Sequence, residues 1–293
     1  MAHCVVPAAE ELLDKEFRVL DKGFVRLVDY LGGDARIVQA ARVSYGEGTK
    51  SYREDAGLID YLLRHEHTSP FEQVILTFHV KLPIFVARQW IRHRTARVNE
   101  VSGRYSIMKD EFYVPAPADL AEQSEDNKQG RADTPLAPDR AERVIADLRA
   151  GQRAAYEDYA GLVDQGLARE LARINLPLSL YTEWYWQIDL HNLFRFLMLR
   201  LDPHAQKEIR LYAAVMLDMA RAVAPAATES FERNTLGAVH FTGPEMEELR
   251  RRLSSASGGG AAGGKKVEPL SVQGLKGKNL ERFEEKVKTG KQL

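Results

Sequence analysis

The sequence predicts an α+β protein: a twisted, mainly antiparallel sheet packed with helices, a largely helical second half, and no Rossmann domain. Three observations predict it. Val74, Leu76, Phe78, Val80 and Leu82 alternate with Ile75, Thr77, His79 and Lys81, the period of two of a half-buried strand. From Pro138 onward the apolar positions recur at helical spacing instead. No Gly-x-Gly-x-x-Gly motif follows a strand, so no Rossmann turn is available to a dinucleotide.

In chain order, Gly23 to Tyr30 reads as a strand, with Phe24, Val25, Leu27 and Val28 leading to the Gly32-Gly33 turn. Asp34 then caps a helix reaching Ala41 to Tyr45. A helix follows from about Glu54 to His65, its apolar face carrying Leu58, Ile59, Tyr61, Leu62 and Leu63, and Ser69-Pro70 ends it. After the clear strand, Pro83 stops the ladder and opens a helix to about Thr95. Its polar face would carry Arg88 and Arg92 one turn apart, with Gln89 and His93 beside them. Glu111 to Val114 reads as a short strand ending at Pro115. Residues 117–138 are polar and read as a mobile surface excursion.

Beyond Pro138, Val144, Ile145, Leu148, Ala155, Tyr159, Leu162 and Val163 form one helical stripe, and Ile209, Tyr212, Ala213, Met216 and Ala220 a second. Residues 1–253 are expected to form a single catalytic α+β domain. Residues 254–293, rich in Gly, Ser and Lys, read as a flexible, solvated tail. No internal repeat is present.

Composition narrows the function. A chain of 293 residues with 44% hydrophobic content can bury a full core. A formal net charge of −1 argues against long RNA or DNA as a general partner, so the arginines matter through clustering. No apolar run approaches the roughly 20 residues that span a bilayer, and the N-terminus lacks the form of a signal peptide, which leads to a cytoplasmic expectation. Cys4 is the only cysteine, so there is no internal disulfide and no cysteine nucleophile deep in the chain. His65 and His67 lie two apart, yet no third ligand or cysteine joins them, and no metal is assigned.

The chemistry concentrates in Arg92 to Tyr105, where four arginines, a histidine, a carboxylate and the Ser102 hydroxyl fall within fourteen residues. Guanidinium forks grip phosphate bidentately, and Ser102 with the Gly103 backbone can complete the cradle, so an anionic, phosphorylated ligand is expected.

Arg92-His93-Arg94, seven residues, then Ser102 resembles the signature of the flavin-dependent thymidylate synthases. Asn99-Glu100 and Ser102-x-Arg104 continue its longer form, with Arg97 standing where serine is usual. His67 to Glu72, Arg88-Gln89-Trp90, Arg173 to Pro177 and Leu199 to Gln206 resemble further blocks of that family, in order, from about Phe17 to Thr235. The resemblance implies an FAD-dependent methyltransferase that converts dUMP to dTMP. Methylenetetrahydrofolate would donate the carbon and NADPH would re-reduce the flavin, with no cysteine nucleophile.

The same resemblance places Gln89, Glu100, Ser102, Gly103, Arg104, Arg173 and Arg200 at dUMP, with Arg200 the catalytic cation facing the pyrimidine carbonyl. It places Ser44, His67, Ser69, Glu72, Arg92, His93, Arg94 and His204 at FAD, and it implies a homotetramer with sites between subunits. The surroundings of Asp189, His191 and Arg195 match the family poorly and stay outside the expected site. Two other readings remain open: methylation of uracil in RNA, favoured by the basic tail, and a non-catalytic sensor of dUMP or folate.

Overall fold

A computed structural model describes residues 4–43, 52–125, 128–256 and 278–289. The chain divides into two compact units, Met1–Phe231 and Glu232–Leu293.

The first unit is built on five antiparallel strands in the order β1-β2-β3-β7-β4. These are β1 (Phe17–Val19), β2 (Gly23–Leu31), β3 (Ile75–Pro83), β7 (Tyr181–Asp189) and the edge strand β4 (Arg97–Glu100). Pleating puts alternate residues on opposite faces. Val25, Leu27, Leu76, Phe78, Val80, Leu82, Trp184, Trp186 and Ile188 point to one face, where none is more than 2% exposed. The opposite face carries the cross-strand row Arg26, His79, Tyr185 and Asn99.

Helices α4 (Ile84–Trp90), α7 (Leu190–Arg200) and α8 (Lys207–Val223) supply the other half of the core. Trp90 sits at its centre, edge-on to Trp184 and Trp186 at 5.6 and 5.4 Å, with Phe196 at 4.8 Å and Tyr212 at 5.9 Å. Truncating so enclosed an indole costs about 3–5 kcal/mol. The Tyr212 hydroxyl donates to the Lys81 carbonyl at 2.8 Å, and Gly23 lies against it so closely that a Cβ would come within 2.1 Å.

Several expectations are corrected. Asp34 does not cap its own helix, α2 (Asp34–Arg42), whose N-cap is Gly33; its carboxylate caps α9 (Pro225–Phe231) instead, accepting from Ala226 N and Ala227 N. The expected extension of α2 to Ser44 and Tyr45 lies outside the described residues. The helix after Pro83 stops at Trp90 rather than Thr95, because the chain must turn there for β4 to pair with β7. Glu111 to Val114 is no strand but a single bridge, Phe112 to Leu180.

The 117–138 stretch, expected as a mobile surface excursion, contains the hairpin of β5 (Ala121–Gln123) and β6 (Arg131–Pro135). Arg131 ties it to the buried Glu208 through two hydrogen bonds of 2.7 and 2.8 Å. Strand β7, in the half expected to be helical, was missed altogether. Helix α5 (Pro138–Asp164) starts at the expected proline, but Tyr159 is the only fully buried member of its stripe and Leu148 is 40% exposed. The α8 stripe is buried throughout. The region also includes α1 (Pro7–Glu10), α3 (Tyr52–Arg64) and α6 (Arg169–Ala172).

The second unit contains α10 (Gly243–Ala256) and α11 (Lys278–Thr289). Glu245 reaches back to the Thr242 N–H and hydroxyl at 2.7 and 2.9 Å, half of a capping box, and also pairs with Lys286 at 2.8 Å. Phe283 is fully buried, with the Arg252 guanidinium 4.9 Å above its ring. The compact units divide at 231/232, and residues 278–289 of the segment read as a tail form α11. Among the described residues no helix is long and apolar enough to cross a membrane.

Candidate active site

Trp90 fixes where the chain leaves α4. Arg92 and Arg94 are exposed beyond it, while His93 turns inward, its ring T-shaped to buried Phe196 with centroids 4.9 Å apart. His93 Nε2 accepts a hydrogen bond from Arg200 Nε at 3.1 Å, which assigns the ring proton to Nδ1. Arg200, the last residue of α7, also donates through Nη2 to the Gln89 carbonyl at 3.3 Å. The Gln89 side chain in turn donates to Gln206 Oε1. Burial, then the Arg200 and Arg195 charges, push the imidazole down to about 4, so it is neutral near pH 7. Burial also lowers the Arg200 guanidinium, which stays charged. A pocket of about 210 Å³ opens between His93, Arg94, Val98 and the two β7 tryptophans.

Strand β4 carries the next part. Val98 pairs with Trp186 and Glu100 with Trp184, so both lie on the tryptophan face; Glu100 accepts from the buried Thr182 hydroxyl at 2.6 Å. Arg97 pairs with Gln187 and lies on the other face with Tyr185. The arginine that stands where serine is usual is therefore directed away from the pocket.

After Val101 the chain turns. Ser102 O accepts from Tyr105 N at 3.1 Å and Ser102 Oγ from Arg104 N at 3.3 Å. Gly103 is buried beneath Arg173: a Cβ there would stand 3.0 Å from Arg173 Cδ and 2.8 Å from Met108 Sδ. Arg104 pairs with Glu170 at 3.2 Å. The structure thus assembles two clusters from distant segments: Gln89, His93 and Arg200, and Ser102, Gly103, Arg104 and Arg173. Arg92, Arg94 and Arg173 make no side-chain hydrogen bond or ion pair among the described residues, leaving their donors to an outside anion. That donor set fits the phosphates of a nucleotide or a flavin dinucleotide.

His67, Ser69 and Glu72 are exposed between α3 and β3, with the His67 ring 6.1 Å from Tyr61. No side-chain bond among the described residues joins them to either cluster. His204 is exposed with its ring nitrogen 2.9 Å from Asp202. Ser44 lies outside the described residues. Sequence reasoning missed Thr182 and Glu170, gave no role to Gln206 although it closes a matching block, and set Arg195 aside. Thr182 lies on β7, whose aromatic rings on both faces hid its pattern; Arg195 shows only through its field on His93.

Comparison with known proteins places this geometry. Residues 26–226 match the family model described as thymidylate synthase complementing protein, and residues 239–293 match the thymidylate synthase ThyX C-terminal domain. The chain is 62% identical to a flavin-dependent thymidylate synthase of Treponema denticola, over 96% of this chain and 100% of that protein. It is 59% identical to one of Treponema pallidum, over 100% of this chain and 91% of that protein. Among solved structures, a UMP/dUMP methylase PolB from Streptomyces cacaoi bound with 5-Br dUMP is similar with a TM-score of 0.68 and 33% identity, covering 75% of this chain and 98% of that one.

Proposed function

The chain belongs to the flavin-dependent thymidylate synthase family, and from that premise we propose that it converts dUMP to dTMP with the residues gathered around Arg200. The observation that carries the reading is the pairing of a charged, half-buried Arg200 with neutral His93, beside arginines that have no side-chain partner among the described residues. FAD, when bound, supplies the hydride, with methylenetetrahydrofolate as the carbon donor and NADPH as the reductant. Ser44, His67, Ser69, Glu72, Arg92, His93, Arg94 and His204 hold the flavin.

The protein's own part is binding and charge. Ser102, Gly103, Arg104 and Arg173 hold the dUMP phosphate, and Gln89 and Glu100 orient the nucleoside, with Thr182 fixing the Glu100 carboxylate. Arg200 faces the pyrimidine carbonyl and stabilises negative charge as the ring is attacked. These roles lie in the first unit, 1–231.

The working form is a cytoplasmic homotetramer. Its support is that no side-chain bond among the described residues joins the His67 to Glu72 segment to the other clusters, and the exposed Val98, Val101, Tyr105, Ile107 and Ile174 that surround the signature. A partner subunit would cover these side chains and bring the separated segments together.

The related methylase was solved with both 5-Br dUMP and 5-Br UMP, so UMP is the second substrate to test. Anaerobic incubation with FAD, NADPH and methylenetetrahydrofolate, with dUMP, UMP or neither, followed by chromatography, is the test. dTMP formed only in the complete dUMP mixture, and abolished by Arg200→Ala, is expected. Product from UMP alone, or none from folded, flavin-loaded protein, would overturn the reading.

A further inference from the structure

We infer that His93 is the positioning residue for Arg200, and that their hydrogen bond is the joint through which the flavin side of the site sets the cation on the nucleotide side. The inference rests on the dUMP reading above. A guanidinium has five N–H donors in one rigid plane. In Arg200 the Nε donor goes to His93 Nε2 and one Nη2 donor to the Gln89 carbonyl, which fixes the plane at two of its edges. The Nη1 pair and the remaining Nη2 hydrogen are left for a ligand. Such a group reaches the ligand already oriented, so little side-chain freedom is lost on binding.

His93 is fixed in turn. Its backbone N–H donates to the Trp90 carbonyl at 3.0 Å, and its ring edge rests on Phe196, which packs against Trp90 and Trp186 at 4.8 and 5.3 Å. The aromatic core thereby dictates the ring orientation, and the ring dictates Arg200. Only the neutral Nδ1–H tautomer can perform this, because Nε2 must present its lone pair to the guanidinium. The remaining Nδ1–H is a donor, and a flavin acceptor that takes it would polarise the ring and strengthen the bond to Arg200. Occupancy of the two ligand sites is then linked, and the linkage is reciprocal.

The test is a mutant cycle read by calorimetric binding of dUMP to flavin-free protein, independent of turnover, with melting curves as the folding control. His93→Leu removes the acceptor and is expected to weaken dUMP binding roughly ten- to a hundredfold, the range for one charge-assisted hydrogen bond. His93→Gln, which offers an oxygen at similar reach, is expected to restore binding to within about threefold. In an Arg200→Ala background, His93→Leu should add nothing further. Equal losses from Leu and Gln, or losses that multiply in the Arg200→Ala background, would overturn the inference.

Nitrogen NMR of protein labelled at histidine provides the second measurement. The Nδ1–H tautomer of His93, lost in Arg200→Ala, is expected, and an Nε2–H tautomer in the unmodified protein refutes the hydrogen bond. This readout still decides the matter if His93→Leu fails to fold, or if dUMP proves not to be the substrate.

Discussion

Asp34 and Ala226, 192 residues apart in the chain, are joined by a 2.7 Å hydrogen bond from the Ala226 N–H to the Asp34 carboxylate, which also accepts from Ala227 N at 3.0 Å. The first turn of one helix thereby satisfies the free amides of another. Asp34→Ala should lower stability by about 1–3 kcal/mol, and Asp34→Asn by less because one acceptor oxygen remains. Urea denaturation of the three proteins checks the order.

Gly23→Ala tests the closest approach in the core. The new methyl would meet the Tyr212 hydroxyl at 2.1 Å and the carbonyls of Lys81 and Val19 at 2.7 Å. Two of these three atoms are backbone and cannot swing away. A loss of about 3 kcal/mol is expected, at the upper end of overpacking effects, and a fall in melting temperature reads it. Adding Tyr212→Phe, which removes the nearest atom, should recover only part of it.

Gly103→Ala should behave differently. Its obstacles are the ends of flexible side chains, Met108 and Arg173, which can move. Melting should change little, while displacement of Arg173 should raise KM for dUMP about tenfold or more, as a lost charged contact does. A KM equal to that of the unaltered protein would remove Arg173 from the phosphate.

In the second unit, burial raises the Glu245 carboxyl, but the hydrogen bonds from Lys286 and Thr242 outweigh it and hold the group at about 2, below its ordinary 4.5. A depressed carboxylate stabilises the fold above 4.5, and that contribution is lost as pH falls from 4.5 toward 2. Lys286→Ala leaves the buried carboxylate unpaired and should cost this unit about 3 kcal/mol at pH 7. Proteolysis within α10 and α11, followed in the whole chain, should accelerate in the variant and, in the unaltered protein, below pH 4.5.

The sequence revealed those elements whose two faces differ in polarity. Strand β3 alternates Leu76, Phe78 and Val80 with Thr77, His79 and Lys81, and α8 keeps one unbroken apolar stripe, so both were legible. Strand β7 was not, because Tyr181, Trp184, Tyr185 and Trp186 crowd aromatic rings onto both faces and erase the alternation; Tyr185 is 46% exposed. The end of α4 was hidden for another reason. Nothing local forbids a helix through Thr95, and only the pairing of β4 with β7 stops it. The arginine signature was visible as residues, but its division into a His93–Arg200 cluster and a Gly103–Arg173 cluster arises from contacts across more than 60 positions. No spacing rule reaches that far.

Strand β4 joins the sheet through β7 alone, and all four of its residues are exposed. Side chains there can be exchanged without disturbing the ring cluster around Trp90, whereas a change at Trp90 or Trp184 is felt throughout the fold. The molecule thus separates the rings that hold the fold from the rim that meets the ligand. A lineage adapting to a different nucleotide, or an engineer seeking one, would begin at this rim, where novelty costs the least stability.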